Sequence, residues 1–280
     1  VGGELDGVRT VGESEAGMMK RSAISWCDFS GGDLNWLTGC QKVSEGCRFC
    51  YAEAIYKRFG RDFSILTFDS RKLGRALRAC YPQDGNVRGP HSRPLCFPCD
   101  TSDFFIEGPC AFIQKYAIEW IGQREDVDWA ILTKRPEKIP GDIAWPDNVW
   151  LGVTAENQEM ADKRIPLLLA TSAKVKFVCV EPMLGPVDLG RSMPCGYYCD
   201  EDHGHVDHAF WSAGKRTGID WVICGGESGP KRRPFQKPWA SALYAECLDA
   251  GAPFFFKQGS GLRPGSDATL GGHVIQEWPR

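Results

Sequence analysis

Apolar residues gather along this chain in short, dense runs separated by longer stretches in which they recur every three to four positions. The runs LCFPC (95–99), DWAILT (128–133), VWLGVT (149–154), VKFVCV (175–180), DWVICG (220–225) and PFFFK (253–257) are rich in β-branched and aromatic residues. Such runs suit strands buried on both faces of a parallel sheet. Between them the spacing predicts helices over CAFIQKYAIEWIGQRE (110–125), NQEMADKRIPLLLAT (157–171) and KPWASALYAECLDAG (237–251), the last closed by Gly251 as a C-cap. Upstream, AEAIYKRFG (52–60) and RKLGRALRAC (71–80) read as short helices, PQDGNVRGPHSRP (82–94) as loop, and SAISW (22–26) as a first strand.

Strand alternating with helix implies right-handed βαβ crossovers. About seven strands give an α/β fold, a complete or partial (β/α) TIM-like barrel with parallel strands, with a doubly wound sheet as the alternative. Residues 1–21 read as a flexible leader, with Met18 and Met19 as candidate starts. The barrel takes 22–262, interrupted by a Cys/His-rich insertion at about 190–216, and 263–280 is a C-terminal extension.

In barrels the chemistry sits where strands end. Each run here leads into polar residues: Asp100 and Asp103, Lys134 and Arg135, Glu156 and Asn157, Glu181, Glu227, Lys257 and Gln258. Any one of them is explained by a loop meeting water; the whole set on one rim is a candidate site.

The segment from Thr38 to Tyr51 carries Cys40, Cys47 and Cys50, three thiols within eleven residues ending in a Cys-x₂-Cys pair. Gly39 and Gly46 let the backbone fold tightly there. Soft thiolates suit cluster iron, and three protein ligands leave one metal position open for chemistry. Inert buried thiols, or zinc completed by Cys27 or another distant ligand, are the alternatives.

Composition narrows the setting. With 42% hydrophobic and 25% charged residues and a net charge of −3, the chain has a globular composition and is not held to nucleic acid by bulk charge. No stretch reaches the roughly 20 apolar residues that cross a bilayer, and the first residues lack a signal-peptide pattern, so no membrane partner and a cytoplasmic setting are expected. Thirteen cysteines in a reducing compartment favour metal over disulfides.

The stretch SAISWCDFSGGDLNWLTGCQKVSEGCRFCYAE, followed by ILTKRPEK, WLGVTAENQEMADKRIPLLL, KFVCVEPMLGPVDL, WVICGGESGP and FFFKQ, closely resembles a phage-associated three-cysteine-motif family, itself similar to divergent radical S-adenosylmethionine (SAM) enzymes. The resemblance covers roughly 22–260. It implies a [4Fe–4S] cluster on Cys40, Cys47 and Cys50, with SAM chelating the remaining iron and cleaved to a 5′-deoxyadenosyl radical. The first gap holds six residues where that superfamily usually has three.

The resemblance further implies an aromatic near the adenine at Tyr51, ribose contacts from Thr154, Glu156 and Asn157, and a site for the SAM amino group at Asp100, Ser102 and Asp103. Tyr51 could equally be packing, and Asn157 a helix N-cap. Gly225-Gly226-Glu227 resembles a Gly-Gly-Glu element, displaced from the second strand to about the sixth. There small residues admit a ligand to the backbone, and Glu227 pairs with an ammonium or positions substrate, with Lys257 as the second candidate catalytic residue.

Lys134, Arg135, Lys231, Arg232, Arg233 and Lys257 suit phosphate, and Tyr51, Phe104 and Phe105 suit a stacked base; a solvated surface of mixed charge is the alternative. Cys195, Cys199, His203, His205 and His208 could hold a second metal, zinc, or form a His-rich surface insertion.

The expected function is therefore a radical SAM-like iron–sulfur enzyme that cleaves SAM to modify or repair a nucleotide or nucleic acid, served by an electron donor protein. If phage-encoded, it works in the host cytoplasm. The rivals are a zinc-stabilised nucleic-acid-binding module recruiting a partner enzyme, and a redox-sensing iron–sulfur protein without SAM chemistry.

Overall fold

The computed structural model describes residues 19–82, 87–90, 92–108, 110–190 and 218–279. Seven strands form one sheet: β1 (Phe29–Ser30), β4 (Leu95–Phe97), β5 (Asp128–Thr133), β6 (Val149–Thr154), β7 (Val175–Val180), β8 (Trp221–Gly225) and β9 (Phe254–Gln258). Every neighbouring pair is parallel, and the order across the sheet follows the order along the chain. A doubly wound sheet reverses its order midway; this one does not, so the fold is a partial (β/α) barrel. A separate antiparallel ribbon, β2 (Leu37–Thr38) with β3 (Thr67–Phe68), brackets the cysteine segment.

The helices are α1 (Tyr51–Arg58), α2 (Ser70–Arg78), α3 (Ile113–Gly122), α4 (Gln158–Leu169) and α5 (Lys237–Ala250). Asn157 caps α4 through its Oδ1, which accepts from the Met160 amide at 3.0 Å, and Gly251 ends α5 in the left-handed region at φ 64°.

The first strand differs from the expectation at 22–26. The Ser22 hydroxyl accepts from the Ile24 amide at 2.9 Å, and the Ser22 amide donates to the Asp28 carbonyl at 2.7 Å, turning this segment back on itself. Pairing starts only at Phe29, beside Asp28, whose carboxylate accepts from the Leu95 amide at 2.8 Å and the Arg88 amide at 2.9 Å.

Period-two alternation splits the sheet into two faces. One packs Trp129, Ile131, Leu151, Val178, Val222 and Phe256 against the helices. The opposite face carries Leu95, Ala130, Trp150, Phe177, Trp221 and Phe255, closed by Trp26 and Trp278. The Trp278 indole donates to the Trp26 carbonyl at 3.2 Å, and the Trp221 indole to the Glu277 carbonyl at 2.7 Å. Gly152 makes room there, because a Cβ on it would stand 2.3 Å from the Phe177 ring. The lower part of this face is therefore a packed core, not a pore.

Continuing the same alternation upward changes the chemistry. Two positions beyond Phe255 comes Lys257, four beyond Phe177 comes Glu181, four beyond Trp150 comes Thr154, and four beyond Ala130 comes Lys134. The face that is aromatic below is polar at the carboxyl ends of its strands.

Candidate functional site

The cysteine loop is seated on that polar rim by hydrogen bonds from three strand ends and a close contact from a fourth. After β4, the Ser102 hydroxyl donates to the Gly39 carbonyl at 2.6 Å, and the Tyr51 hydroxyl donates to the Asp100 carbonyl. After β5, Arg135 Nη2 donates to the Gln41 carbonyl at 2.6 Å while Nη1 lies 3.8 Å from the Cys40 sulfur. After β6, Glu156 lies against Gly46. After β8, Arg233 Nη2 donates to the Glu45 carbonyl at 3.0 Å and to Glu227 Oε1 at 2.5 Å.

Both motif glycines are required by close approach. Gly39 sits at φ 86°, and a Cβ on it would fall 2.2 Å from the Ile65 carbonyl oxygen. A Cβ on Gly46 would fall 2.9 Å from Glu156 Cδ. Between them Glu45–Cys47 forms a single 3-10 turn, and Cys50 occupies the N-cap of α1 without spending its sulfur on the cap.

Three of the eleven described cysteines are half-buried: Cys40, Cys47 and Cys50. Cys80 is exposed, and the other seven are buried in the cores. Burial pushes Cys27 and Cys179 up to about 12, so these thiols are inert. Burial also pushes Cys40 up, with Asp103 adding to it, while Arg135 pulls it back. Among the described residues, no three His, Cys, Asp or Glu side chains are gathered as a bound metal ion would need. The three loop thiols fit an iron–sulfur cluster by donor chemistry and by being accessible, with the Arg135 cation beside one of them.

Beneath the loop, Glu156 is wholly buried and paired with buried Arg164 at 2.7 Å. Burial pushes its carboxyl up, but Arg164, Ser44 and Lys134 outweigh burial and hold it below the usual carboxylate range. Its other oxygen, Oε1, makes no hydrogen bond. On the polar part of the inner face, Lys134 Nζ donates to Thr154 Oγ1 at 3.2 Å and Lys257 Nζ to Glu181 Oε1 at 2.6 Å. Burial pulls the Lys257 ammonium down, yet the Glu181 carboxylate more than offsets that, so it stays a cation. A Cβ on Gly225 would lie 3.4 Å from Lys257 Cβ and 3.5 Å from Glu181 Cδ, placing all three together.

Several expected site residues make bonds within the fold. Asp103 is buried and accepts from Thr133 Oγ1 at 2.6 Å and the Lys134 amide at 2.8 Å, with Arg135 paired at 3.2 Å. Asp100 accepts from Asn35 Nδ2 at 2.5 Å, and burial pushes its carboxyl up despite that bond. Asn157 is the helix cap. Glu227 is committed to Arg233 and so clasps the cysteine loop. The Gly226 carbonyl accepts from Gln258 Nε2 at 2.9 Å, tying β8 to β9.

Phe104 and Phe105 do not stack on anything at the rim: at 1% and 0% exposure they fill the core, since the Asp103 turn points the next two side chains inward. Arg135 likewise faces Cys40, not solvent. Cys195, Cys199, His203, His205 and His208 lie outside the described residues.

Arg164, Glu45 and Ser44 were not legible as site residues. The one sequence signal for Arg164 is its place in the second turn of α4, eight residues after Glu156.

Solved structures similar to this chain include spore photoproduct lyase complexed with dinucleoside spore photoproduct, at 14% identity and a TM-score of 0.47, covering 83% of this chain and 64% of that one. A double mutant of that lyase, with bound AdoMet and dinucleoside spore photoproduct, matches at 13% identity and a TM-score of 0.48, covering 88% of this chain and 73% of that one. This chain thus spans less than two thirds of the length of the first of these lyase chains. No curated protein matches it. The match over residues 21–271 is to a family described as protein of unknown function (DUF5131), and the chain belongs to that family.

Proposed function

We propose that this chain is a radical SAM-like iron–sulfur enzyme that cleaves SAM to modify or repair a nucleotide or nucleic acid. The observation that carries the reading is the seating of the three-thiol loop on the carboxyl rim of a partial barrel, by hydrogen bonds from the ends of β4, β5 and β8 and a close contact from the end of β6. Barrel enzymes place their chemistry on that rim, and nothing about a merely structural cysteine loop requires it there.

Cys40, Cys47 and Cys50 would hold the cluster. Bound there with SAM, it would supply the electron that opens a carbon–sulfur bond. The residues of this chain then have defined tasks. Ser102, Arg135 and Arg233 hold the loop on the rim. Glu156, kept ionised by Arg164 and covered by Gly46, supports the loop from below. Thr154 orients Lys134. Glu181 and Lys257 form a charged pair on the inner face, suited to orient a polar substrate without exchanging a proton. Exposed Arg48 and Lys231 suit phosphates arriving at the rim. An electron donor protein completes the partner set.

Anaerobic reconstitution with iron and sulfide tests the reading. A brown chain that binds both, and loses them when Cys40, Cys47 or Cys50 is changed to Ala, is expected; a chain that stays colourless contradicts it.

A further inference from the structure

Arg135 stands apart from every other cation of the site because it is buried, fixed on all sides, and aimed at one of the three thiols. Its backbone is held by Thr133, whose Oγ1 accepts from the Arg135 amide at 2.9 Å. Its guanidinium is braced by Asp103 at 3.2 Å, and Asp103 is itself fixed by Thr133 Oγ1, the Lys134 amide and the Phe105 amide. Nη2 donates to the Gln41 carbonyl, while Nη1, the atom paired with Asp103, also lies 3.8 Å from the Cys40 sulfur. Arg135 is 4% exposed and Asp103 6%, so solvent and salt screen this charge little.

The other two thiols differ. Cys47 has only the Ser44 hydroxyl at 3.9 Å, and no hydrogen bond to Cys50 sulfur is found among the described residues.

We infer that Arg135 is a positioning and tuning residue for the cluster, donating a charge-assisted hydrogen bond to the Cys40 thiolate that makes the cluster easier to reduce. This rests on the function proposed above. A donor to a ligating sulfur withdraws electron density from it, and a nearby fixed positive charge favours the more negative, reduced cluster. Both effects act in the same direction. Only an arginine can do this at the site: the planar fork reaches Asp103, Gln41 and Cys40 together, whereas a lysine ammonium is a single point that must choose among them.

The test uses the full chain, reconstituted without oxygen, as wild type, Arg135→Gln and Arg135→Lys. Iron and sulfide content, circular dichroism and the midpoint potential from an EPR-monitored dithionite titration are read for each. Expected is a retained cluster whose midpoint moves negative in Arg135→Gln and by a smaller amount in Arg135→Lys. Retained clusters with an unchanged midpoint in both variants overturn the inference while leaving the proposed function standing. So does loss of the cluster from both variants with the fold intact, which makes Arg135 an assembly residue only. A wild-type chain that takes up no cluster overturns the proposed function and this inference together.

Discussion

A Cβ placed on Gly46 would stand 2.9 Å from Cδ and 3.0 Å from Oε1 of Glu156, although the two residues lie 110 positions apart. The glycine between two candidate cluster ligands is thus a contact requirement set by a buried carboxylate. Glu156 has no easy retreat, because Arg164 holds it at 2.7 Å.

Gly46→Ala is therefore expected to destabilise the chain by about 1–3 kcal/mol, the usual range for overpacking, and to loosen the cysteine loop. Gly141, with nothing within 4 Å of its ideal Cβ and no positive φ, is the matched control, and its Ala variant should be neutral. Urea denaturation gives the stabilities, and limited proteolysis around residues 40–50 reports the loop. Equal behaviour of the two variants would remove Glu156 as the reason for the glycine.

Breaking the Glu156–Arg164 pair from one side leaves a buried charge without its partner. Arg164→Met is expected to cost about 3–5 kcal/mol, and Arg164→Met with Glu156→Met together much less. A double-mutant cycle by denaturation measures both, and additive costs would mean that the pair does not act as a unit.

The glycine and the ion pair show what the sequence could and could not reveal. Strands such as DWAILT and VKFVCV were legible because each is a short, dense apolar run, and their bounds, 128–133 and 175–180, agree with the structure. SAISW read as strand by composition, but the Ser22 turn spends its amides locally and hands Trp26 to the inner face. The ribbon of β2 and β3 has two residues per strand, too few for any period to register.

At the site, the three cysteines stand out as candidate ligands from spacing alone. Their anchors do not, because Arg135 and Cys40 are 95 positions apart and Arg233 and Glu45 are 188 apart. Some of the polar strand ends that read as substrate contacts also bond to the loop: Ser102 to the Gly39 carbonyl, the Asp100 carbonyl to Tyr51, and Arg135 to the Gln41 carbonyl. Nothing in the local composition separates an Asp103 turned inward from one facing a ligand.

Glu246 gives a pH dependence away from the rim. Burial raises its carboxyl from 4.5 to about 7, although it accepts from the Leu189 amide at 3.0 Å. Between these values the folded chain holds a proton that the unfolded chain has released. This group's contribution is thus fully present below about 4.5, declines as pH rises, and is gone above about 7. Glu246→Gln should raise the urea midpoint at pH 8 and change it little at pH 5. A variant that loses stability at pH 8 would mean the carboxylate is favoured in the fold.

Ser102 ties the end of β4 to the loop through the Gly39 carbonyl at 2.6 Å. Ser102→Ala removes one donor and is expected to cost about 0.5–1.5 kcal/mol, with faster proteolysis of the loop as the local readout. An unchanged cleavage rate would show that the loop does not depend on this anchor.

The central claim is that an open iron faces SAM on this rim. The most direct measurement is the EPR spectrum of the anaerobically reconstituted, dithionite-reduced chain with and without SAM. A [4Fe–4S]⁺ signal that shifts when SAM is added is the predicted result. A cluster signal indifferent to SAM, or no cluster signal at all, would contradict it.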